Sequence, residues 1–259
     1  MDERISRGSR HLRELWGADS PAYGVWSNTA DPVVNELLGS IGFDYVCVDL
    51  QHGFATAVDL PGVLGGLRQG GAAPLVRVPW NEPAAIMRAL DLGAAGVIVP
   101  MVNSAADAER AVAACRYAPL GERSWGPTWA DTRPQAAWTP GGANEDVLCV
   151  VMVETRRALD SLDEILAVPG VDAVYIGPYD LALSCGFGQR TYREDPGVDA
   201  LLASVVDACR QAGVVSGLHC TNSPEMAVEW AGRGVRMLTA VTDLTLLRSA
   251  ALDALSRTR

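Results

Sequence analysis

Tyr45-Val46-Cys47-Val48-Asp49-Leu50-Gln51-His52-Gly53 is the stretch whose reading decides the fold. Four apolar residues, two of them β-branched, run into an acid, an amide and an imidazole, and then a glycine. A short apolar run without polar alternation predicts a strand buried on both faces, as in a parallel sheet covered by helices. Its abrupt polar end predicts chemistry where the strand stops. His52 is one of three histidines in 259 residues. A histidine beside a buried strand also reads as a satisfied structural group. The chemical reading gains weight because the same pattern recurs down the chain.

Working outward, Ala22 to Trp26 predicts a strand before this one, and Asp31-Pro32 opens the intervening helix with an N-cap and a first-turn proline. After it come an amphipathic stretch over Ala57 to Gln69, a strand at Pro74 to Pro79, and a helix from Glu82-Pro83 to about Leu92-Gly93. Gly96 to Pro100 predicts the fourth strand and Ser104 to Cys115 its helix. Leu148 to Val153 predicts the fifth strand, ending in Glu154, and Arg156 to Val168 a single helix. The sixth strand, Asp172 to Ile176, runs into a short turn, Gly177-Pro178-Tyr179-Asp180. A helix over Val198 to Gln211, a strand from Val214 to Leu218 ending in His219, a helix capped at Ser223-Pro224, a strand over Arg236 to Ala240 and a last helix from Asp243 complete the pattern. Eight strand-then-helix units with no intervening linker predict one domain over residues 1–259, an α/β chain closed as a single (β/α)8 TIM barrel behind an N-terminal helix. The length agrees, since such barrels take about 250 residues. An open doubly wound sheet is the alternative, and no GxGxxG turn follows any strand.

Composition narrows the function. Net charge is 21 − 31 = −10, which disfavours nucleic acid as a partner. An anionic substrate then needs a local cation of its own. No apolar stretch reaches the roughly 20 residues of a membrane span, and Met1 to Trp16 has no apolar signal core, so an exposed first helix and a cytoplasmic location are expected. The six cysteines form no CxxC pair and suggest neither disulfides nor zinc. All 21 basic residues are arginine. Without a lysine, Schiff-base chemistry, pyridoxal phosphate and the P-loop are excluded. Between Tyr117 and Asp146 lies a long stretch with Trp125, Trp129 and Trp138. Loops of that length in compact domains are commonly functional, and these tryptophans point to a loop that packs over the pocket or at a subunit interface.

In such barrels the active site lies at the carboxyl ends of the strands. Reading those ends gives Trp26, Asp49, Gln51, His52, Arg77, Glu154, Asp180 and His219. Glu154 and Asp180 are expected in one mouth, where they either pair with Arg156 or Arg157 or share a divalent cation with oxygen ligands. Arg77 offers a planar fork for a carboxylate, from a substrate or from a protein acid. His219 reads first as structural, with a place facing the site as the alternative, and Trp26 reads as a pocket wall.

Asp49-x-Gln51-His52-Gly53, Arg77-x-Pro79, the run Asp91-x-Gly93-Ala94-x-Gly96-Val97-x-Val99-Pro100-Met101-Val102, Arg116-Tyr117-x-Pro119, Glu154-Thr155 and Tyr175-Ile176-Gly177-Pro178-Tyr179-Asp180-Leu181 together resemble the HpcH/HpaI family of metal-dependent pyruvate aldolases. The match runs in order from about Gly24 to Asp243. It implies a TIM barrel, a divalent ion (Mg2+, Mn2+ or Co2+) and a homohexamer built from trimers. The reaction implied is reversible cleavage of 4-hydroxy-2-oxo acids to pyruvate and an aldehyde. By the same resemblance Glu154 and Asp180 match the metal ligands, Arg77 the arginine that holds the pyruvyl carboxylate, His52 the base, and Asp49 with Gln51 the shell around them. Asp91 matches an acid that reaches the histidine of a neighbouring subunit; an aspartate in the last turn of a helix is disfavoured by the helix dipole, which fits another role. Trp26, Gly177, Pro178 and Tyr179 match the substrate pocket. Two departures stand out: Met152 where the family often has glutamine, and Gln51 where it often has an acid. A subset with a stretch like Arg123-Ser124-x-Gly126-Pro127 shares both, so they are read as changes of substrate. Oxaloacetate decarboxylation, acyl-CoA cleavage and a non-catalytic barrel are the alternatives; basic residues that a CoA user needs near the mouth are sparse.

Overall fold

Residues 8–128 and 139–258 are described by a computed structural model. Eight parallel strands close in sequence order into a barrel: β1 Ala22–Ser27, β2 Tyr45–Asp49, β3 Ala73–Arg77, β4 Gly96–Val99, β5 Leu148–Val153, β6 Ala173–Ile176, β7 Val215–His219 and β8 Met237–Thr242. β2 and β5 have the bounds their apolar runs predict, and the others differ by one or two residues. Trp129 and Trp138 lie outside the described residues.

Side chains alternate across each strand, and the alternation sorts the apolar runs into two cores. Tyr45, Cys47, Leu75, Ile98, Val150, Met152 and Tyr175 fill the barrel. Val46, Val48, Val76, Val97, Val151 and Val174 face outward against the helices. Two tyrosines and a tryptophan fit inside eight strands because small residues face them. A Cβ on Gly217 would stand 2.6 Å from the Tyr175 ring, so only glycine leaves room there. Continuing the inward set one step up each strand carries Trp26, Asp49, Arg77, Glu154 and His219 to one rim.

The helices are α1 Gly8–Gly17, α2 Pro32–Ser40, α3 Leu60–Gly70, α4 Pro83–Asp91, α5 Ala105–Cys115, α6 Pro140–Asp146, α7 Arg156–Asp160, α8 Leu162–Leu166, α9 Pro178–Ser184, α10 Pro196–Ala212, α11 Pro224–Gly232 and α12 Asp243–Ser256. Asp31 caps α2 through Val33 N and Val34 N with proline at the first turn, as its sequence predicts. Three expectations are corrected. The first helix is not simply exposed: Leu12 is fully buried against the barrel interior, and His11 meets Asp44 at 2.8 Å, so α1 covers the amino end. The helix expected over Arg156 to Val168 breaks at Ser161, whose backbone (φ −107°, ψ 14°) leaves the helical region. Gly177-Pro178 starts a helix rather than a turn, with Pro178 at its first position and Asp180 in its first turn, where a carboxylate is favoured.

The last helix stands apart. Only Asp243 of α12 is buried, anchoring the segment that follows β1 by accepting from Asn28 N and Thr29 N at 2.9 Å each. Leu244, Leu246, Leu247, Leu252 and Leu255 stay exposed, as do Val33, Val34, Leu37 and Ile41 on and just after α2. Among the described residues no helix is long and apolar enough to cross a membrane.

Candidate active site

Asp49 and Arg77 are ladder partners on neighbouring strands, so both point inward side by side. Arg77 donates from Nε to Asp49 Oδ1 at 2.9 Å and from Nη2 to Oδ2 at 2.5 Å, a two-point fork. Trp26 Nε1 donates to the same Oδ2 at 3.1 Å, and its ring lies 5.0 Å from the Arg77 guanidinium carbon. Burial opposes the Asp49 charge. The Arg77 hydrogen bonds and charge, with the Trp26 and Gln51 N–H groups, outweigh it and hold the carboxyl below the usual aspartate range. Arg77 therefore meets a protein acid, one of the two alternatives its sequence left open. Its Nη1 has no protein acceptor among the described residues and is free for a ligand.

Asp49 also builds the loop that follows. Its Oδ1 accepts from Gln51 N at 2.9 Å and His52 N at 3.2 Å, a local turn of the kind short acids make with the backbone ahead of them. Gln51 contributes that amide; its own Oε1 is buried without a partner and it is not among the residues lining the cleft. His52 is exposed, and its imidazole overhangs the cleft with no partner among the described residues.

Across the mouth, Glu154 ends β5 and is 3% exposed. Its Oε1 accepts from Met101 N at 2.7 Å. Met101 sits at φ 57°, a backbone region costly for a side chain with a Cβ, and this turn after β4 aims its amide at the carboxylate. Asn103 Nδ2 donates to Met101 O at 2.8 Å and its Oδ1 accepts from Thr155 Oγ1, tying the turn to β5. Burial raises the Glu154 carboxyl above its usual range; the Met101 amide opposes this, and the charge of Asp180 adds to it. Asp180, exposed on the first turn of α9, has no protein donor among the described residues. Neither acid pairs with Arg156 or Arg157. A Cβ on Gly177 would stand 3.0 Å from Glu154 Oε2, so a glycine here keeps that oxygen clear.

A cleft of about 240 Å3 beside these groups is lined by Trp26, Asn28, Asp49, His52, Arg77, Met152, Tyr175, Gly177, Pro178, Tyr179, Asp180, His219 and Thr242; Glu154 is not among its lining residues and lies next to two that are, Gly177 and Met152. Trp26, Gly177, Pro178 and Tyr179, expected around the substrate, all border this cleft. Asp91 is not in it. It ends α4, as predicted, and accepts from Arg123 Nη2 at 2.7 Å; that buried guanidinium offsets the unfavourable helix end.

His219, for which the sequence sets a structural role against one facing the site, lines the cleft. Its place at the inward end of β7 was the available signal. Burial first, then the Arg77 charge, lower its pKa to about 4, against a smaller opposing effect from Asp49. The unfolded chain titrates near 6.5, so it takes up a proton that the folded chain refuses. Stability is lost as pH falls from 6.5 toward 4, by an amount on the order of 3 kcal/mol, and is constant in this respect above 6.5. Urea unfolding of parent and His219→Leu between pH 7 and 4 checks this: the parent curve falls more steeply.

The profile of the HpcH/HpaI aldolase/citrate lyase family matches residues 22–249. A hydroxypyruvate/pyruvate aldolase of Rhizorhabdus wittichii is 36% identical over 251 residues, 96% of this chain and 98% of that one. The chain belongs to the HpcH/HpaI aldolase/citrate lyase family. A second relative in this range, the 4-hydroxy-2-oxo-heptane-1,7-dioate aldolase of Salmonella paratyphi C, is 34% identical over 93% of this chain and 91% of its own. Among solved structures, an HpcH/HpaI aldolase/citrate lyase family protein from Burkholderia cenocepacia superposes with a TM-score of 0.88 at 30% identity, covering 97% of this chain and 99% of that one. Like these HpcH/HpaI relatives the chain is an enzyme, an aldolase and hence a carbon–carbon lyase. Within this family frame Met152 stands inside the cleft, and its Cε lies 3.4 Å from where a Cβ on Gly177 would be.

Proposed function

We infer that this HpcH/HpaI enzyme reversibly cleaves 4-hydroxy-2-oxo acids to pyruvate and an aldehyde with the help of a divalent cation, Mg2+, Mn2+ or Co2+. The observation that supports this reading is a pair of mutually repelling carboxylates, Glu154 and Asp180, neither of which forms an ion pair among the described residues, with the Arg77 charge acting on Glu154 from a distance. The donor set fits the ion: Glu154 Oε2 and the Asp180 carboxylate are hard oxygen donors left without protein partners there. No third His, Cys, Asp or Glu joins them among the described residues, so the remaining positions are left to water and substrate.

When bound, the ion supplies positive charge where the 2-oxo oxygen gains electron density. Arg77 holds the substrate carboxylate through Nη1 and places a fixed cation beside the same charge, kept in orientation by Asp49 and by the Trp26 ring. His52 takes the proton of the C4 hydroxyl; the C3–C4 bond then breaks, leaving the aldehyde, and its electrons pass to the pyruvyl fragment. The walls of Trp26, Gly177, Pro178 and Tyr179 confine the substrate. Activity should fall to background on chelation and return on adding Mg2+, Mn2+ or Co2+ in a pyruvate-release assay. Indifference to chelator overturns the reading.

The apolar residues left open on α2 and α12 support assembly into a homo-oligomer, which we take as a hexamer of two trimers. In it the half-buried Asp91, already fixed by Arg123, is the acid that reaches His52 of a neighbouring copy. Light scattering after size exclusion is expected to give six times the chain mass of 27.4 kDa; a monomer at micromolar concentration overturns this.

A further inference from the structure

β7 delivers into the cleft an imidazole for which the proposed reaction has no task. His219 follows Val215 and Gly217 on the inward register of the strand. Two groups fix its ring. Its Nδ1 lies 3.5 Å from the Tyr175 hydroxyl, and the Trp26 ring meets it at 87° with centroids 5.1 Å apart.

The hydroxyls behind it set the tautomer. Tyr175 donates its proton to Thr239 Oγ1 at 2.5 Å, so the Tyr175 oxygen is left to accept, and the neighbour placed to donate is His219 Nδ1–H. Thr239 passes the chain on to the Tyr45 hydroxyl at 2.9 Å, deep in the barrel. A neutral imidazole carries one N–H and one lone pair. With the hydrogen on Nδ1, the lone pair sits on Nε2, which has no protein donor among the described residues. Burial keeps the ring neutral above about pH 4, so this acceptor persists at working pH. Trp26 and Tyr175 contact the ring and the Arg77 charge acts on it, and none of the three donates a hydrogen bond to Nε2.

We propose that His219 Nε2 accepts a hydrogen bond from a second substrate hydroxyl, next to the C4 hydroxyl that is cleaved, making this chain selective for polyhydroxylated 4-hydroxy-2-oxo acids. That hydroxyl sits at C3, from a hydroxylated three-carbon acid, or at C5, from a hydroxylated aldehyde. The assignment rests on the aldolase reading. A site built to bond a hydroxyl rejects the analogue lacking it because its own polar group is then left unpaired.

The test is carbon–carbon bond formation by the metal-loaded enzyme with four pairings: pyruvate or hydroxypyruvate, each with acetaldehyde or glycolaldehyde. For the parent, kcat/KM favours at least one hydroxylated partner. His219→Leu lowers kcat/KM for that partner by about 10- to 100-fold and changes the pairing without the hydroxyl by less than about threefold. His219→Gln, whose Oε1 reaches near the Nε2 position, restores most of the loss. A loss confined to hydroxypyruvate places the hydroxyl at C3, and one confined to glycolaldehyde places it at C5. An equal fall across all four pairings, or none, overturns the assignment while leaving the aldolase reading intact. No product from the parent in any pairing overturns both.

Discussion

Glu154→Gln and Asp180→Asn each bring carbon–carbon cleavage below about one-thousandth of the parent rate, a loss of at least ~4 kcal/mol in transition-state stabilisation. In Glu154→Gln the side-chain carbonyl can still accept from the Met101 amide, so the turn after β4 keeps its anchor. What changes is the second oxygen, which becomes an amide donor aimed where the cation belongs. The fold is expected to survive and, without metal, to gain stability. The Glu154 carboxyl is raised by burial and by Asp180, so its ionised form is disfavoured in the folded chain. Parent protein therefore loses stability as pH rises through the ordinary glutamate range, and Glu154→Gln does not. The variant's advantage is present at pH 7 and vanishes below pH 4. Added Mg2+ or Mn2+ reverses the ranking, because it stabilises only the chain that binds it. Pyruvate release with paired thermal melts checks all of this. A variant that keeps a tenth of the activity, or that melts higher with metal, contradicts it.

Arg77→Ala strikes both fold and chemistry. Asp49 has 1% of its side chain exposed and Arg77 11%; removing one partner of a buried pair strands the other, at a cost of about 3–5 kcal/mol. The same carboxylate organises the amides of Gln51 and His52, so its displacement also moves the proposed base. In the parent, Arg77 holds Asp49 below its usual range, a contribution present at neutral pH and lost only as pH falls well below 4. In the variant only the Trp26 and Gln51 N–H groups still oppose burial, and the carboxyl rises instead. The stability deficit is thus largest at pH 7 and shrinks toward pH 5, where protonation relieves the stranded charge. Adding Asp49→Asn removes that charge and should recover most of the stability but none of the activity. Urea unfolding of the two variants at pH 7 and pH 5, with kcat/KM for each, separates the roles. Arg77→Lys is expected to fail as well, since a point charge cannot fork to Asp49 and still present a free edge.

The barrel was legible in the order of residues because its governing signal is local. An apolar run of strand length, a proline after a capping acid and a glycine past a helix end each act within a few residues. Tyr45–Asp49 and Leu148–Val153 therefore carry their own boundaries. Period-two alternation sends Asp49, Arg77 and Glu154 inward without reference to any other strand, which is why a list of strand ends contains the rim. Family motifs added roles to those positions. The amino acid order alone determined the fold, the absence of lysine chemistry and most of the candidate rim.

Tertiary structure decided how those residues are used. Whether Arg77 meets a substrate or Asp49 depends on the register between β2 and β3. That a strained Met101 amide, from 53 residues away, anchors Glu154 depends on how two loops meet. Asp91 lies outside the cleft on Arg123, and His219 lines it, because barrel closure sets which ends converge and Gly217 lets Tyr175 stand behind the imidazole. Local patterns state which way a side chain points from its own strand; only closure of the sheet states what it will find there.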